Sequence, residues 1–75
     1  MPTLNIRAHW DAEARVWWAE SREIPGLVAE TTTYDALVAE LRNIVPALMA
    51  MNMPEVRDGV SLRITSDQVE DVLFA

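Results

Sequence analysis

The sequence predicts a two-layer α+β fold of four strands and one helix in the order βββαβ, and three observations lead there. Leu4 to Trp10 and Val60 to Thr65 alternate apolar and polar residues with period two, as half-buried strands do. Between them lies one long stretch with helical periodicity, from about Tyr34 to Met51. Pro25-Gly26 then separates a strand that carries the paired tryptophans from a further short strand. A single helix can cover only one face of a sheet, so the other face is expected to be open.

The elements follow in order. Leu4, Ile6, Ala8 and Trp10 form the apolar side of the first strand. Asp11-Ala12-Glu13-Ala14 has the length of a hairpin link, and Arg15 to Glu20 returns as the second strand. Alternation fails in that strand. Val16 and Trp18 point one way and Trp17 and Ala19 the other, so one tryptophan must leave the core face. Sequence leaves open which one. Proline at the first central position and glycine at the second suit a type II turn, after which Leu27 to Glu30 forms a short third strand.

Thr33 is a candidate N-cap, with Asp35 in the first turn at the positive end of the helix dipole. Leu37, Leu41, Ile44, Leu48 and Met51 make the apolar stripe, broadened by Val38 and Val45. Pro46 lies inside the pattern and removes a hydrogen bond to the Arg42 carbonyl. Because the stripe stays in register across it, one kinked helix is expected rather than two. Asn52 and Pro54 supply the stop. After a loop at 55–59 comes the fourth strand, Val60 to Thr65. The tail, 66–75, fits either a helical turn capped by Ser66 or an extended course, and its Val72-Leu73-Phe74 must be buried in this chain or in another. Residues 1–75 are expected to form one domain, its core at about 4–64.

Composition narrows the function. Seventy-five residues bury only about 60% of the surface the unfolded chain exposes. With no cysteine and one histidine, neither disulfides nor a metal staple can help, which leaves oligomerisation as the remaining aid. A basic stripe for phosphates is missing, since all six basic residues are arginines scattered along the chain. Direct nucleic-acid binding is therefore not expected. The formal charge of −6 favours a basic partner. Neither a signal-peptide pattern nor a run of membrane-spanning length occurs, so a cytoplasmic protein without membrane contact is expected.

Catalytic chemistry is thinly represented. His9 and Asp11 share a strand face, but no serine or cysteine nucleophile is placed beside them. Asp11, Glu13, Glu20, Glu23 and Glu30 read as a solvated acidic rim rather than a metal set, and only two glycines are present, too few for a phosphate loop. No enzyme activity, metal or cofactor is expected. A small sheet with one helix cannot bury three tryptophans. The candidate surface for a protein partner is therefore centred on the second strand: Trp17, Trp18, Ala19 and Arg15, with His9 beside them.

Trp10-Asp11-Ala12-Glu13-Ala14, Val16-Trp17-Trp18-Ala19-Glu20-Ser21, the Ile24-Pro25-Gly26-Leu27 turn and the helix-opening Thr33 together resemble the HicB-like antitoxin fold. In particular the chain is similar to the small uncharacterised members of that group, and the likeness extends over about Leu4 to Ile64. This resemblance implies a partial ribonuclease-H-like βββαβ sheet, with the first two strands central and the last beside and parallel to the first. It implies no catalytic carboxylates. It also implies direct neutralisation of a HicA-like partner, a small basic ribonuclease toxin. Leu27 and Val28 replace the glycine and cysteine common after the turn in many such sequences. About ten residues follow Ile64, too few for the DNA-binding module of full HicB antitoxins, so operator binding is not carried over. The other reading is a stand-alone domain that self-associates as a homo-oligomer.

Overall fold

The computed structural model describes residues 1–74. The elements are β1 (Thr3–Asp11), β2 (Val16–Glu20), β3 (Ala29–Thr31), α1 (Tyr34–Asn52) and β4 (Ser61–Asp67). They build one sheet in the order β3-β2-β1-β4. β1 runs antiparallel to β2 and parallel to β4, and β2 runs antiparallel to β3. This is the expected two-layer α+β arrangement, with β1 and β2 in the middle and the last strand beside the first.

The β1–β2 hairpin closes through a four-residue loop, since Asp11 pairs with Val16. Asp11 Oδ1 accepts from the Glu13 and Ala14 amides at 3.0 and 3.1 Å, and the Arg15 amide donates to the Asp11 carbonyl at 2.7 Å. Arg15 completes the reversal with φ of 57°, in the left-handed region. It therefore belongs to the loop and not to β2, where the sequence reading began the strand.

β2 is short and pairs only with Arg7 to Asp11, which would leave the Asn5 backbone on that side of β1 unpaired. The polar segment after β2 satisfies it instead. Ser21 Oγ donates to the Asn5 carbonyl at 2.7 Å, while Glu23 Oε1 accepts from Asn5 Nδ2 at 2.7 Å and from the Asn5 amide at 3.3 Å. The chain then turns. Gly26 has φ of 81° and the Leu27 amide donates to the Ile24 carbonyl, as a type II turn requires. Leu27 is thus still in the turn, buried, and β3 starts two residues later than its apolar character suggested.

Thr33 caps α1, its hydroxyl accepting from the Ala36 amide at 3.1 Å. The helix is a single element through Pro46. It ends where the Met53 amide donates to the Met49 carbonyl, and Asn52 Nδ2 ties that end to the Pro25 carbonyl at 3.3 Å. The buried row is Leu37, Leu41, Val45 and Met49. Ile44 and Leu48 flank it half-buried, whereas Met51 is exposed. That corrects the expected stripe, and the cause is geometric: an i±4 row runs obliquely to the helix axis, and the sheet lies along that row.

The core gathers between this row and one face of the sheet: Leu4, Ile6 and Ala8 of β1, Ala19 of β2 and Ala29 of β3, with Ile24 and Leu27 closing the end. β4 contributes Leu62 and Ile64, only half-buried. Ser66 is no helix cap. It pairs with Ala8 inside β4, and 68–74 continues without helix or strand. Ala75, the last residue of the predicted tail, lies outside the described residues.

Candidate protein-binding face

The hairpin register decides the tryptophans. Trp10 pairs with Trp17 and Ala8 with Ala19, so all four share the helix side. Trp17 packs edge-on against Tyr34 at the start of α1, with ring centroids 5.3 Å apart, and Trp10 lies 5.7 Å from it. His9 pairs with Trp18, and both project from the opposite face, which no element covers. Their rings stack at 4.3 Å with an interplanar angle of 26°. Trp18 is 37% exposed and is the large apolar side chain at the centre of that face.

Three carboxylates surround the stack. Glu20 approaches His9 Nε2 at 3.1 Å, Asp67 lies 3.8 Å from Nδ1, and Glu30 is the cross-strand partner of Trp18 on β3. The Glu20 contact is close but poorly directed, because Nε2 is buried without a satisfied hydrogen bond. The two side chains are in close contact without a hydrogen bond between them. Asp11 plays no part in it, its carboxylate being used by the hairpin turn. Among the described residues no group of three or more histidine, aspartate or glutamate side chains is arranged to hold a metal ion, and no helix is long and apolar enough to cross a membrane.

The predicted surface residues therefore separate. Trp18 and His9 come together on the open face, Trp17 and Ala19 turn under the helix, and Arg15 is exposed in the hairpin loop. Glu20, Glu30 and Asp67 join the face although the sequence reading did not select them as a set. Period two in β2, β3 and β4, once registered against His9, would have found them.

A family model described as a domain of unknown function, DUF1902, matches residues 3–75. The chain belongs to that family. Among solved structures it is similar to the hypothetical protein TTHA1013 from the extremely thermophilic bacterium Thermus thermophilus. The two are 39% identical with a TM-score of 0.76, over 96% of this chain and 99% of the other. No curated protein matches the chain.

Proposed function

We propose that this DUF1902 domain is a non-catalytic protein-binding module of the HicB-like antitoxin type, whose open sheet face masks a small basic ribonuclease of the HicA kind. The observation that carries this reading is Trp18, a large ring on an uncovered face, stacked on His9, with Glu30 across from it and Glu20 and Asp67 beside the histidine, and Arg7 opposite Glu20. An aromatic anchor inside a charged rim is the usual composition of a protein-binding patch. Those carboxylates suit a basic protein, as does the charge of −6, and they oppose direct contact with nucleic-acid phosphates. A cytoplasmic location without cofactor or metal belongs to the same reading.

The test is titration of the chain against a short basic ribonuclease encoded beside it, followed by calorimetry and by inhibition of RNA cleavage. Trp18→Ser should weaken binding by more than about ten-fold, the loss expected of a central aromatic anchor. An unchanged affinity, or no binding to any such neighbour, would remove the proposal. Self-association is a second reading, favoured by a different observation: Val72, Leu73 and Phe74 are 76%, 92% and 93% exposed.

A further inference from the structure

The helix lies over β2 and β3 and leaves the helix side of β4 incompletely covered, as the half-buried Leu62 and Ile64 record. Between α1 and β4 runs an apolar groove of about 750 Å³. One wall is the Val38–Arg42–Pro46 ridge of α1, and the other is formed by Val60, Leu62 and Ile64. Beyond β4 the chain projects from the body. The molecule is 57 Å long but only 18 Å in each other direction, with a radius of gyration of 14.3 Å where a compact domain of this length has about 11 Å. That projecting segment carries Val69, Val72, Leu73 and Phe74, all at least 76% exposed. A single chain thus presents an unfilled apolar groove and an unburied apolar tail.

We propose that residues 68–74 of one copy seat in the α1–β4 groove of a second copy, with the exchange made reciprocally. This rests on the self-association reading and names its seat. Length agrees: seven extended residues reach about 23 Å, close to the span of β4 and within that of a 19-residue helix. Charge agrees as well. Arg42 and Arg57 line the groove, and among the described residues neither is in an ion pair, both such contacts involving His9. Glu70 and Asp71 stand between the apolar residues of the tail.

The tail's own groove is the poorer seat. β4 ends at Asp67, beside His9 and the hairpin end of β1. To lie along its own β4 the chain would have to reverse at once, yet Ser66 and Asp67, the turn-forming residues nearest that point, are paired to β1 inside β4, and 65–74 contains no glycine or asparagine to supply a positive φ. A second copy accepts the tail without any reversal. Two such contacts form in each pair, moving the buried area toward the roughly 1,200–2,000 Å² of a stable interface.

The experiment is sedimentation of the full chain at micromolar concentration, with three variants. The wild type should be a dimer, and Leu73→Ser with Phe74→Ser should raise its dissociation constant at least ten-fold without changing the circular dichroism spectrum. A groove-reversed chain (Arg42→Glu, Arg57→Glu) and a tail-reversed chain (Glu70→Arg, Asp71→Arg) should each be monomeric alone, and should form a heterodimer when mixed. A monomeric wild type overturns self-association altogether. A dimer indifferent to the tail substitutions overturns the exchange but leaves self-association standing. Loss of the dimer without recovery on mixing overturns the groove as the seat.

Discussion

The two faces of the sheet are built from alternate residues of the same strands, and they differ in what they ask of a side chain. On the helix side, Ala8 stands opposite Ala19, both buried in the core between α1 and the sheet. One position along, His9 stands opposite Trp18, and nothing lies above them but each other. Both faces carry large rings, and what separates them is cover: one set packs under α1, while the Trp18 ring has only the His9 ring stacked on it. Position 17 makes the same point with identical chemistry: its tryptophan packs on Tyr34 and belongs to the fold. Its neighbour at 18 is on the uncovered face, 37% exposed and stacked on His9.

Substitutions should separate these roles by size of effect. The largest belongs to the buried row of α1. Leu41→Ala removes a fully buried side chain and should cost about 2–5 kcal/mol of unfolding free energy, read from urea denaturation. Such a loss takes a large share of the stability of a domain this small. Next comes Trp17→Ser. The ring is half-buried rather than enclosed, so a loss of about 2–3 kcal/mol is expected, below the range for a fully buried tryptophan. If Trp17→Ser proved as mild as a surface change, the two faces would not differ in the way described.

Trp18→Ser sharpens the contrast from the other side. Its stability cost should be about 1 kcal/mol or less, mainly the lost stacking on His9, while partner binding falls by more than about ten-fold. Stability unchanged with binding lost is the signature of the open face. Stability lost with binding unchanged is that of the covered one.

Much of this was legible in the residues. Alternation gave β1, Pro25-Gly26 gave the turn, and Thr33 gave the helix start, because each depends on chemistry confined to a few neighbouring positions. The fate of the tryptophans depends on register, a property of two strands at once. Both faces of Val16–Ala19 are apolar, so periodicity within β2 could not choose between them. A four-residue loop closed by the Asp11–Val16 pair chooses, by setting Trp17 opposite Trp10. Leu27 misled because an apolar residue closing a turn resembles one starting a strand. Met51 misled because the buried row of α1 is oblique to its axis. The tail's branched residues fit helix and strand alike, and in the single chain they form neither and stay exposed.

The smallest effect tests what holds the open face in shape without a partner. His9 touches both Trp18 and Glu20, and a ring stack and a charge contact can be told apart by double-mutant cycles. For His9→Ala with Trp18→Ser the coupling should be about 0.5–1 kcal/mol, the worth of an offset aromatic pair beyond its buried area. For His9→Ala with Glu20→Gln it should be smaller, at most about 0.5 kcal/mol, because Glu20 is half-exposed and its contact lacks hydrogen-bond geometry. The reverse order would make the carboxylate the element that positions His9, and Trp18 would then rest on the imidazole rather than orient it. A stack that outweighs the Glu20 contact would hold the Trp18 ring against His9 whether or not a partner is bound, so that a partner would meet a preformed anchor.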